Sequence, residues 1–262
     1  VAFIGIPLAM LTMFLAQRLE HRLGPAAAGW FAALPISFAV ASATIAVTES
    51  HGTASEIALS AAGHLGPQVA YAVAFVWAAS RSGVVAGFVV GLVTYVAASL
   101  AIAPLPLVVR LVIGAMAIAA ATMYMARQPR AERTGPAATS KQQVLALASA
   151  ALVVALITLA NQRWGPATAG TIGAFPTMST TMAMFVAYRA GARNANAVMA
   201  GLVKSLPVYG VYCLVFAYLV EQVATVWAVA GAALLALLTA ALTWRRLDTS
   251  GVTENGVLYS EP

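Results

Sequence analysis

Apolar residues run along this chain in long stretches, and charged residues are confined almost entirely to the gaps between them. Nine stretches stand out: 2–18, 26–47, 55–79, 83–103, 105–126, 143–160, 167–188, 196–220 and 222–244. Each approaches the roughly 20 residues that a helix needs to cross about 30 Å of hydrocarbon. The expected fold is an all-α polytopic membrane protein with nine transmembrane helices. Two stretches fit less cleanly. Segment 55–79 opens on Ser55 and Glu56 and contains His64 and Gly66-Pro67, and only Ala101-Ile-Ala-Pro104 divides the fourth stretch from the fifth.

The charges set an orientation. With nine crossings, one side of the membrane receives Arg18, Arg22, Arg81, Arg127, Arg130, Arg133, Lys141, Arg189, Arg193, Arg245 and Arg246. The other side receives Arg163, together with Glu49, Glu56 and Glu221. By the positive-inside rule the N-terminus is external and the C-terminus cytoplasmic. The first stretch does not read as a signal peptide, because its positive charges follow the apolar run. The chain opens on Val1 and not on Met, so a few further residues are expected before it.

Composition sharpens the class. Of 262 residues, 61% are hydrophobic and 8% charged, with a mean hydropathy of +0.88; a soluble domain carries about 25% charged residues. Disulfide-rich secreted domains, coiled coils and disordered chains are excluded. The pI near 9.8 does not indicate nucleic acid, since the cations lie at topological positions. The lone Cys213 stands inside an apolar run and permits no intrachain disulfide. Metalloprotease, serine-hydrolase and phosphate-loop motifs are absent, so neither an enzyme nor a cofactor is expected.

Laid on itself at an offset of 141 residues, the chain repeats. Arg22-Leu-Gly-Pro-Ala-Ala-Ala-Gly-Trp-Phe-Ala-Ala-Leu-Pro35 falls on Arg163-Trp-Gly-Pro-Ala-Thr-Ala-Gly-Thr-Ile-Gly-Ala-Phe-Pro176, with eight of fourteen positions identical. Tyr71 falls on Tyr212 and Phe75 on Phe216. Stretches one to four therefore correspond to six to nine, and the fifth has no counterpart. One extra crossing starts the second copy on the opposite side, which gives a 4+1+4 plan with inverted topology. The domains expected are a first repeat at 1–103, an inverting helix at 104–126, a cytoplasmic loop at 127–142, a second repeat at 143–246 and a cytoplasmic tail at 247–262. Inverted repeats underlie many secondary transporters.

Chemistry is expected where the repeats are interrupted. Pro35 and Pro176 fall near the middles of the second and seventh helices, and a proline there frees a carbonyl and kinks the helix. Thr177, Ser179, Thr180 and Thr181 place four hydroxyls directly after the second break, and Ser37, Ser42 and Thr44 follow the first more thinly. Lys204 and His64 stand at depth in corresponding helices, and a cation at depth faces protein or water and seeks oxygen partners. These residues are the expected substrate site. Arg22 and Arg163, each before a Gly-Pro that opens a helix, form an expected gate or vestibule. Arg110, in the unpaired helix, reads as an interface residue, and Gly83, Gly87 and Gly91 as a close-packing face.

At Ala169-Gly-Thr-Ile-Gly-Ala-Phe-Pro-Thr177 the sequence resembles the small GlpM-like bacterial membrane proteins, four-helix units with an Ala-Gly-x4-Phe-Pro-Thr stretch opening their second segment. The first half keeps Ala28, Gly29 and Pro35, with Leu34 and Ile36 in place of Phe and Thr. The resemblance implies a fused tandem of that unit in a bacterial inner membrane. The expected function is a secondary transporter or facilitator of a small anionic solute. An anion-selective channel and a non-transporting subunit assisting cell-envelope or lipid-linked synthesis are the alternatives. Expected partners are the lipid bilayer and the solute, without nucleic acid, in a monomer or homodimer.

Overall fold

A computed structural model describes residues 14, 15, 18, 22–128, 148, 157 and 159–248, the last five by backbone alone. Most of the expected first helix, of the loop 127–142, of the sixth helix and of the tail 247–262 lies outside the described residues. Among those described, the chain is helical throughout and forms no strand. The helices are α1 (Pro25–Ala32), α2 (Ile36–Thr48), α3 (His51–Gly63), α4 (Leu65–Ser82), α5 (Val84–Ile102), α6 (Leu107–Ala126), α7 (Pro166–Ala174), α8 (Thr177–Ala190), α9 (Ala192–Val220) and α10 (Thr225–Asp248). Five spans are long and apolar enough to cross a membrane: Pro25–Thr48, Val84–Ile102, Leu107–Ala126, Ala192–Val220 and Thr225–Thr243.

Local chemistry sets these boundaries. Gly24 and Gly165, with φ of 90° and 81°, turn the chain into α1 and α7. A left-handed backbone suits glycine alone, and the proline that follows is pre-set for a helix's first position. Ser50 caps α3, its Oγ accepting the Thr53 amide at 3.0 Å. The sequence reads 55–79 as one span, but the chain breaks at His64 into α3 and α4, with Pro67 tolerated in α4's first turn. In α9 the chain stays helical through Pro207.

Four helices of the second half begin 141 residues after four of the first: Pro25 and Pro166, Ile36 and Thr177, His51 and Ala192, Val84 and Thr225. The equivalent stretches α3–α4 and α9 lie side by side in opposite directions. Ser55 donates to the Ala217 carbonyl at 3.0 Å, Leu65 packs on Gly210, and Asn196 donates to Ser80 Oγ at 2.9 Å. Tyr71, Phe75, Tyr212 and Phe216 are fully buried in the core, the first two on α4 and the others on α9.

The short helices α1 and α7 each pack against the other half. A Cβ at Gly29 of α1 would collide with the Val198 carbonyl of α9, and one at Gly170 of α7 would stand 2.5 Å from the Ile57 carbonyl of α3. Gly29 and Gly170 are equivalent positions, as are Ile57 and Val198. The same exchange recurs one turn away, where Gly201 meets the Ala26 carbonyl and Ser60 Oγ donates to the Ala167 carbonyl at 2.8 Å. Only small residues let backbones approach this closely. On the outside, α5, α6 and α10 present exposed valine and leucine, among them Val85, Leu100, Val108 and Leu238. Such faces suit lipid, which competes for no backbone hydrogen bond of a helix.

Candidate functional site

The breaks stand at the prolines. α1 ends at Ala32, and Pro35 occupies the N-cap of α2; α7 ends at Ala174, and Pro176 occupies the N-cap of α8. Their hydrogen bonding is alike. Ile36 and Thr177 each donate back two residues, to Leu34 O and Phe175 O at 2.8 Å. Ala39 and Thr180 donate to the Pro35 and Pro176 carbonyls at 2.7 and 2.9 Å. The amides between them, of Ser37 and Phe38 in α2 and of Met178 and Ser179 in α8, belong to first turns, where the helix itself offers no acceptor. No side chain caps either helix.

Both breaks line one cavity of about 50 Å³. Its lining follows the 141-residue offset: Leu34 with Phe175, Ser37 with Met178, Phe38 with Ser179, and Gln68 of α4 with Tyr209 of α9. Leu202 of α9 and Ile157 complete one wall. None of the described lining residues is an acid, lysine or arginine.

Around the cavity several hydroxyls are tied to backbone carbonyls. Ser179 Oγ donates to Gly29 O at 3.4 Å, Tyr209 Oη to Gly173 O at 3.4 Å, and Tyr95 Oη to Thr171 O at 2.6 Å. Thr180 Oγ1 donates to Pro176 O at 2.8 Å and shares a 2.7 Å hydrogen bond with Tyr71 Oη. Phe175 is held edge-on between Tyr71 and Tyr95, each ring centroid 5.2 Å away. Four first-turn amides have no acceptor within their helices, and Gln68 Nε2 is buried without a hydrogen-bond partner.

No family model, curated protein or solved structure matches this chain. The site is therefore described by its own geometry.

Of the expected site residues, Pro35, Pro176, Thr177 and Ser179 line the cavity. Thr180 is buried just behind it, bonded to Tyr71, and Thr181 is half-buried on α8. The structure does not bring Lys204 or His64 into the lining. Lys204 is half-buried on α9, and it follows Leu202 by two residues, about 200° around the helix. His64 sits at the α3–α4 break, Nδ1 2.7 Å from Ser60 O and Nε2 3.1 Å from Thr171 Oγ1, so it ties α4 to α7. Arg110 of α6 packs beside it over Gly63. Arg22 and Arg163 are exposed, two residues before Gly24 and Gly165 respectively, at the entrances to α1 and α7. Gln68 and Tyr209 escape a search for charge and hydroxyl runs, although the offset that pairs Pro35 with Pro176 also pairs them.

Proposed function

We propose that this chain moves a small anion across a bacterial inner membrane by alternating access. In this reading two four-helix repeats, 1–103 and 143–246, are inserted oppositely and joined by helix 104–126. They make nine crossings, with the N-terminus outside. Three features support the inversion: the helix starts matched at 141 residues, the opposed course of α3–α4 and α9, and the exchanged glycine contacts of α1 and α7. The plan agrees with a fused tandem of a GlpM-like unit.

The observation that carries the function is a cavity lined by both breaks, at which two helix N-termini stand uncapped by any side chain. A helix N-terminus carries roughly +0.5 of an elementary charge, so two of them favour an anion. The helices that wall the cavity are pinned on either side of it, by Ser55 on Ala217 and by Asn196 on Ser80. A site between two such contacts favours a carrier over a channel, because opening one contact at a time exposes the ion to one face. The glycine contacts suit such a movement, since backbone sliding on backbone needs no side chain to repack.

Proteoliposomes loaded with unlabelled anion test the proposal. The expected result is saturable uptake stimulated by anion on the opposite side. Absence of flux for every small anion tried would leave a non-transporting subunit, and unsaturated conductive flux would replace the carrier with a channel.

A further inference from the structure

Positive charge gathers at the end of the bundle where α4 turns into α5. Arg81, in the last turn of α4, donates from Nη1 to Trp77 O at 3.2 Å and stands over the Trp77 ring, 4.5 Å from its centroid. The ring holds the cation in place and brings no net charge to cancel it. Arg193 is exposed in the first turn of α9. Asn196, three residues on and on nearly the same face of that helix, donates to Ser80 Oγ at 2.9 Å. That bond brings Arg81 and Arg193 to one patch. Arg189, in the last turn of α8, precedes Arg193 by four residues across the Gly191 turn and adds a third cation. No acid among the described side chains stands at this end. Glu49, Glu56 and Glu221 lie at the other, which the bond from Ser55 to Ala217 O marks. The 29 residues of α9 separate the two ends by about 43 Å.

The surroundings say what such a patch meets. The membrane-length span Val84–Ile102 begins three residues after Arg81, and its first turns expose Val85 and Val89. Trp77 is half exposed, and Tyr188, beside Arg189, is 86% exposed. Exposed Trp and Tyr at the ends of membrane helices mark the headgroup level. The arginines therefore border both headgroups and hydrocarbon. Repetition does not account for them, since the residues equivalent to Arg81, Arg189 and Arg193 are Gln222, Thr48 and Gly52.

We propose that this patch binds one anionic phospholipid, its phosphate held by Arg81 and Arg193 and its acyl chains lying along the exposed valines of α5. Arg189 raises the field around them. Basic clusters at the end of a membrane helix recognise anionic lipid, with a gain of about five-fold per cation. A zwitterionic lipid carries its own cation next to the phosphate and is held less well. The inference goes beyond the transport reading and stands without it; only the assignment of the patch to the cytoplasmic leaflet rests on the topology of that reading.

The test is native mass spectrometry of the full chain in neutral detergent, titrated with phosphatidylglycerol or with phosphatidylcholine. Phosphatidylglycerol should be retained first as a single molecule per chain, at least about five-fold more tightly than phosphatidylcholine. Arg81→Gln and Arg193→Gln should each weaken that retention by about five-fold, and the double variant by about twenty-fold. Retention of phosphatidylcholine should stay level in all three. Excess inorganic phosphate should not displace the lipid, because it offers no acyl chains to α5. Equal retention of the two lipids by the native chain overturns the proposal. So does phosphatidylglycerol binding unchanged in the double variant, or uptake of several lipids without a first tight one. Full displacement by inorganic phosphate would make the patch an oxyanion site without lipid, and overturns it as well. If the double variant fails to fold, the native chain decides through ionic strength, which screens exposed charges. A preference for phosphatidylglycerol that fades as ionic strength rises supports the site, and one that persists overturns it.

Discussion

The two proline breaks share a backbone and differ in chemistry. Around Pro35 and Pro176 the helix ends, the donations back by two residues and the first free amides correspond residue for residue. The side chains do not. The first break presents Leu34, Ser37 and Phe38; the second presents Phe175, Thr177 and Ser179. At the crossing helices the polarity reverses, with the uncommitted donor Gln68 in the first half and Tyr209, already bonded, in the second. Repetition thus builds the cavity, and divergence within it sets which groups remain available. The backbone is common to the two halves, while the side chains that each brings to the cavity differ.

This comparison breaks most readily where the halves touch. Gly29→Ala and Gly201→Ala each force a Cβ into a backbone carbonyl of the opposite half. That overpacking should cost about 3 kcal/mol or more, read as loss of monodisperse protein after detergent extraction. Gly52→Ala is the control, since a Cβ there meets only Ser50 Oγ at 3.9 Å, and it should extract normally.

A smaller effect is expected behind the second break. Tyr71→Phe removes the 2.7 Å hydrogen bond to Thr180 Oγ1. It should lower stability by about 1 kcal/mol, seen as a reduced melting temperature, and should loosen the seat of Phe175. Exchange of the two chemistries sharpens the comparison further. Ser179→Phe alone should abolish flux by filling the cavity, and Phe38→Ser, at the equivalent position, should restore part of it in the double variant. Absence of any rescue would mean that the two walls do not face a common space. Ser179→Ala and Ser37→Ala give the least. Ser179 loses a long 3.4 Å bond to Gly29 O, worth about 0.5–1 kcal/mol, and Ser37, which leaves no such bond behind, should shift the melting temperature less.

The breaks were legible because proline has a fixed φ and no amide, so a mid-helix Pro35 or Pro176 has one structural consequence. Gly24 and Gly165 announced the starts of α1 and α7 for a similar reason. The division at His64 was less legible: Gly66-Pro67 signals a restart, but the same residue type at Pro207 leaves α9 intact. There the surrounding packing decides, with α1, α3, α4 and α10 all against α9. Lys204 drew attention because charge in an apolar run is conspicuous, yet one sequence does not say which face of α9 turns to the cavity. Gln68 was quiet for the opposite reason: a neutral amide matters here only because nothing bonds it, and that is a property of the fold.

The inverted arrangement is tested most directly by two single cysteines at equivalent, exposed positions in the first turns of α3 and α9, Gly52→Cys and Arg193→Cys. The native Cys213 is fully buried and should stay silent. With a membrane-impermeant thiol reagent on intact cells, the account predicts labelling at position 52 and none at 193 until the membrane is permeabilised. Labelling of both from the same side would contradict it.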